Sequence, residues 1–236
     1  MTTPEPEPAP VAPAPDREAR GVRLSLVLLA LTVVSGLIDA ISYLGLGHVF
    51  TANMTGNVVI LGFAAAGAPG FSVRHTATSL AFFLAGAATG GRVVRGTGRG
   101  SRRTWTRITL ACEAVLLTAA SAVAFVTSED GRLRVYVVIA LTAFAMGLRN
   151  ATVQKLAVPA LSTTTVVTMT LTGLASDSHL GGGTGQRSRR RAAAVTAMFA
   201  GAVLGAALAL HHGIAAPLLL AAAVSGVLAL LASGKD

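Results

Sequence analysis

Asn53, Thr55 and Asn57 stand at alternate positions of a polar string, Thr51-Ala52-Asn53-Met54-Thr55-Gly56-Asn57. The rest of the chain is 53% hydrophobic and only 12% charged, so the string is conspicuous. Amides and hydroxyls do no covalent chemistry alone, but at the start of a helix they can hold a solute. The first turn carries unbonded N–H groups that favour an anion or a carboxylate. A second string, Thr164-Thr165-Val166-Val167-Thr168-Met169-Thr170, aligns at a shift of 113 and sets Thr168 and Thr170 opposite Thr55 and Asn57. Asn53 and Asn57 are four apart and share a helix face, whereas Thr55 points elsewhere. The competing use of all five is mechanical, since polar side chains in membranes also tie helices together.

Asp39 is the second chemical candidate. It lies 15 residues beyond Leu24 in an apolar run, where an ionised group costs roughly 2.5–3.5 kcal/mol on insertion scales. Such a group faces a cavity or pairs with a base. Arg149 and Asn150 occupy almost the matching place further along the chain, so Arg149 is the expected partner. Asp39 is either a proton- or ion-coupling carboxylate, one arm of a structural Asp–Arg bridge between two halves, or an interfacial residue near the span end. Glu113, six residues past Arg107, is expected to snorkel to an interface.

Other chemistries find no footing. There is one cysteine, Cys112, inside an apolar run, which excludes disulfides and cysteine-based zinc sites. His48, His75, His179, His211 and His212 are scattered at segment ends without HxxxH or HExxH spacing, so no metal site is expected. No Walker loop, GxSxG or GxGxxG after a strand is present; we expect neither an enzyme nor a cofactor. The net charge of +9 and pI near 11.4 invite a nucleic-acid reading. The arginines instead cluster at Arg92–Arg107 and Arg187–Arg191, where apolar runs end, and no aromatics interleave them for stacking on bases. That is the pattern of basic cytoplasmic loops.

The elements that must position these residues are membrane helices. Mean hydropathy is +0.66, and apolar segments run Leu24–Leu44, Met54–Ala68, Ala77–Val94, Ile108–Val126, Val135–Leu148, Thr163–Ala175, Ala192–Leu210 and Ile214–Ala232. Residues 1–20 form a proline-rich tail expected to be disordered and cytoplasmic. Residues 21–236 form one transmembrane domain, in halves of about 21–127 and 132–233. Gly36-Leu37-Ile38-Asp39-Ala40 matches Gly147-Leu148-Arg149-Asn150-Ala151, and Gly86 with Gly90 matches Gly201 with Gly205. Those glycine pairs have the spacing that lets helices approach closely.

Two segments, Met54–Ala68 and Thr163–Ala175, extend only ~20–22 Å as helices and are short for a bilayer. If all eight segments crossed, eleven Lys/Arg would lie inside and eight outside. If the two short segments re-enter, sixteen lie inside and only Arg74, Arg132 and Arg134 outside. The second distribution obeys the positive-inside rule. The expected fold is therefore all-α integral membrane: about six transmembrane helices plus two short re-entrant or broken segments, arranged as two inverted repeats. Both termini are expected in the cytoplasm. Thr51, Asn53 and Ser162 to Thr164 are ready N-caps for the two short helices, and Gly45, Gly47 and Pro159 suit the irregular approach to them.

These residues carry a resemblance. Asp39-Ala40, Ser42-Tyr43-Leu44-Gly45, Phe50 through Asn57, Leu61-Gly62 and Gly147 through Ala151 resemble the YoaK family, bacterial multi-pass membrane proteins carrying a domain of unknown function. The resemblance spans nearly everything after the tail. It implies a protein of the bacterial inner membrane and leaves the substrate open. The second half departs from the pattern, with Thr168-Met169-Thr170 where Thr-Gly-Thr is expected.

The leading functional expectation is a secondary transporter or permease for a small polar or anionic solute, bound between the two breaks. A non-transporting scaffold or assembly protein, or a passive channel, are the alternatives. The expected partners are the lipid bilayer, the solute and a further copy of the chain, but not nucleic acid.

Overall fold

The structure is a computed structural model and describes residues 15–96, 102–126, 131–156, 165–178, 181–182 and 188–231. Eight helices account for almost all of them: α1 Pro15–Gly45, α2 Met54–Ala65, α3 Val73–Gly96, α4 Arg102–Val126, α5 Arg132–Leu156, α6 Thr165–Ser176, α7 Ser188–His212 and α8 Ala215–Leu231. Each apolar segment of the sequence is one helix, and no strand occurs among the described residues. α1 starts earlier than expected. Residues 15–20, assigned to the tail, are its first turns, and Pro15 suits a first helical position. Residues 1–14 lie outside the described residues.

Leu26–Gly45, Thr104–Val126, Arg132–Lys155 and Ser188–His212 are long and apolar enough to cross a bilayer. The centre is a buried cluster to which α1, α4, α5 and α8 contribute Ile38, Leu117, Ile139 and Leu218. The outer surface is apolar too, with Val115, Phe125, Phe199 and Leu210 exposed. A helical bundle with grease inside and outside is what a lipid solvent requires.

Helix pairs recur. α1 packs along α7 and α3 along α5, while α4 crosses to α8. A Cβ on Gly36 would strike Met198 O and Ala202 N; one on Gly147 would strike Phe83 O and Ala87 N. Gly86 and Gly90 lie on the carbonyls of Phe144 and Leu148, just as Gly201 and Gly205 lie on those of Val33 and Leu37. The offsets are 111 residues between α1 and α5 and 115 between α3 and α7. The glycines expected to admit close packing thus do so at matching places in both halves. With no hydrophobic drive between helices in lipid, such backbone contact is a main source of association.

The two ends of the first break lie together. His48, just after α1, sits with Nδ1 3.0 Å from Gly70 O, just before α3, and its ring lies 5.8 Å from that of Phe71. Between these points residues 49–53 run down to Asp39 and α2, of 12 residues, leads back.

Candidate functional site

The chain reverses after α1 at Gly47 (φ 83°) and His48 (φ 60°). A left-handed φ is free for glycine and costly for the histidine. Residues 49–53 then run back along α1 to Asp39, which lies six residues, ~9 Å, below the end of the helix. There Asp39 Oδ1 accepts from the backbone N–H of Ala52 at 2.8 Å and of Asn53 at 3.2 Å. A carboxylate on two backbone donors is a strong, charge-assisted anchor. α2 begins at the next residue, with Asn53 as N-cap accepting from Gly56 N at 3.1 Å.

Asn57 closes the loop from the other side. Its Nδ2 donates to Phe50 O (2.6 Å) and Ser79 Oγ (3.1 Å), and its Oδ1 accepts from Phe50 N at 2.9 Å. Ser79 on α3 donates to the same Phe50 carbonyl at 2.6 Å. Asn57 is fully buried and all of this bonding is internal. The expectation that Asn53 and Asn57 act together on a solute therefore separates. Asn53 caps α2 at the edge of a cavity, and Asn57 ties the break to α3. Thr55 is exposed, as a residue on another face should be.

The cavity lies between α1, the break and α7 and holds about 460 Å³. Asp39 and Asn53 line it together with Tyr43, Phe50, Met198 and Phe199, and Leu44, Val203 and small residues of α1 and α7 complete the wall. Tyr43 and Phe50 stack with centroids 5.0 Å apart. Asp39 is 5% exposed, and its second oxygen, Oδ2, has no hydrogen-bond partner among the described residues.

Arg149 is not paired with Asp39. Its Nη1 bonds Glu113 Oε1 at 3.0 Å, and its Nη2 donates to Ser35 Oγ at 2.6 Å. Ser225 Oγ donates to the same Glu113 oxygen at 2.9 Å. The expected Asp39–Arg149 bridge is thus replaced by an Arg149–Glu113 pair joining α4 and α5, with α1 and α8 each adding a serine. Glu113 does not snorkel either; it is fully buried. Sequence reasoning missed Ser35, Ser79 and Ser225. Serines are common in membrane helices for packing alone, so spacing carries no signal of them.

In the second half Thr168 is exposed, Thr170 is buried, and Asn150 Oδ1 is buried without a hydrogen-bond partner among the described residues. None of these three lines the cavity beside Asp39. Arg191 on α7 donates to Gly173 O at 2.7 Å and pairs with Asp177, holding α6 on α7. The expected second approach, with Pro159 and the caps Ser162 to Thr164, lies outside the described residues.

The family whose pattern matches residues 27–231 is described as a protein of unknown function, DUF1275. The chain belongs to the DUF1275 family. It is also 34% identical, over 154 residues, to the UPF0700 transmembrane protein YoaK of Bacillus subtilis (strain 168). That match spans 64% of this chain and 65% of the relative, a little under two thirds of the relative's length. No solved structure matches the chain. The resemblance carried by the Asn-Met-Thr-Gly-Asn string is therefore real, and this DUF1275 protein is an integral membrane protein.

Proposed function

We propose that this protein is a secondary transporter or permease for a small solute, not an enzyme, with its site at the first broken helix. One observation carries the reading: a buried carboxylate holds the start of a short helix at the wall of an open cavity between α1 and α7. Transporters place sites at discontinuous helices because irregular backbone is tolerated there only beside a cavity. The meeting of His48 with Gly70 supports α2 as re-entrant, and the reciprocal glycine contacts support two repeats. With six spans and both termini in the cytoplasm, those repeats are inverted. α2 and α6 match in length at 12 residues each, and α6 packs on α7 as α2 does on α3.

The anionic solute expected from the sequence fits poorly. The N–H groups of Ala52 and Asn53, which an anion would use, already serve Asp39. An incoming anion would also meet that carboxylate. A neutral or cationic solute suits the wall.

Uptake into proteoliposomes, with and without a proton gradient, tests the reading. Gradient-driven accumulation by the wild type supports a carrier. Absence of flux for every solute class offered would leave the scaffold reading, which the wholly internal bonding of Asn57 favours.

A further inference from the structure

Resting on the transport reading, we propose that the cavity beside Asp39 binds a hydrophobic organic cation, an amine or onium ion, received sideways from the lipid.

Three observations converge. First, Asp39 is the single charged residue among those lining the cavity, and it has no ion-pair partner among the described residues. Arg149 acts on it only through space, because its own charge is matched by Glu113. The wall therefore carries one carboxylate without an ion-pair partner in a low-dielectric setting, where a cation is attracted far more strongly than in water. Oδ1 is held by two N–H groups, and Oδ2 is buried with no hydrogen-bond partner among the described residues.

Second, the remaining wall is aromatic and aliphatic. The stacked pair of Tyr43 and Phe50, with Phe199 of α7, lines the cavity with aromatic side chains, which suit a cation and its apolar substituents. Asn53 is the one uncharged amide. A strongly hydrated inorganic ion would find too few oxygens here to replace its water. An ion that carries its charge inside a hydrocarbon shell needs none. The volume of about 460 Å³ falls in the usual range for small-molecule sites.

Third, the cavity has an apolar rim. Leu44, Phe199 and Val203 are lining residues that are 50%, 69% and 51% exposed. A ligand already dissolved in the bilayer would reach Asp39 past them without crossing a polar gate.

The test uses two ions of one shape and opposite charge, tetraphenylphosphonium and tetraphenylborate. Binding to the purified full chain is measured by equilibrium dialysis against matched empty micelles. The expected result is saturable binding of the phosphonium and no saturable binding of the borate. Asp39→Asn should weaken the phosphonium at least tenfold. Its amide oxygen can still accept from Ala52 and Asn53, so the loop should stay in place. If that variant fails to fold, Ala206→Trp, which fills the cavity from α7, should abolish binding instead. Equal binding of both ions, or a phosphonium affinity indifferent to folded Asp39→Asn and Ala206→Trp, overturns the proposal and leaves a lipid-filled crevice. The transport reading fails separately: saturable phosphonium binding without flux of the phosphonium or of any other solute offered in proteoliposomes would remove transport and keep the site. No saturable binding alongside gradient-driven flux of another solute would do the reverse.

Discussion

Among the described residues, the buried charges Asp39, Glu113 and Arg149 divide into a pair and a single anchor. Glu113 and Arg149 neutralise one another inside the bundle and are 0% and 2% exposed. Removing one partner of such a pair leaves an unmatched charge and costs about 3–5 kcal/mol. Glu113→Gln and Arg149→Met should each lower the melting temperature in detergent sharply. The double variant should recover most of the loss, and additive losses would refute a direct pair. Asp39 behaves differently because its bonds are to backbone. Asp39→Ala orphans two N–H groups, at about 1–3 kcal/mol each, whereas Asp39→Asn can satisfy both. Thermal melts of the two variants should therefore diverge, with only the alanine unstable. The sequence made both carboxylates stand out but pointed to the wrong bonds. Depth along a helix can be read from position, while the partner depends on rotation about the axis and on which helix lies opposite. Asp39 and Arg149 sit at matching depths, yet Arg149 turns towards α4.

Among helices, the glycines decide the contacts. Gly36 and Gly147 each bring a neighbouring backbone within reach of a missing Cβ, so Gly36→Ala and Gly147→Ala should pry α1 from α7 and α3 from α5. Overpacking of this kind costs about 1–3 kcal/mol, and the two losses should be alike because the contacts are alike. Gly62 is the control. It lies within α2 with nothing within 4 Å of its Cβ position, so Gly62→Ala should gain about 0.5–1 kcal/mol. Melting curves of all three variants check the set, and equal behaviour of Gly62 and Gly36 would refute it. This level was the most legible in the sequence. Every helix followed from an apolar run, and Asn53 caps α2 as its residue type suggests. The role of Asn57 was not legible. A polar residue four positions from a cap shares its face on a regular helix, but here the chain folds back over that face and Phe50 takes up the amide.

For the molecule as a whole, the arrangement of arginines and the break at Gly47 point to one topology. With Arg149 buried inside the bundle, fifteen of the other eighteen Lys/Arg fall on one side only if α2 and α6 fail to cross. The contact of His48 with Gly70 argues the same for α2 by geometry alone, since α1 leaves and α3 begins at one level. Single cysteines can decide this in a Cys112→Ala background, where no native thiol remains. Ala66→Cys, in the exposed turn after α2, should react from outside intact cells with a membrane-impermeant maleimide. Ser101→Cys and Gly185→Cys, in the two arginine-rich connections, should react only after the membrane is opened. Under eight crossings the connection holding Ser101 would move outside while that holding Gly185 stayed inside, so labelling of Ser101→Cys alone would restore eight spans. Protection of both, with Ala66→Cys labelled, leaves six spans. The halves must then be inverted, because α1 runs outward and α5, its counterpart, runs inward.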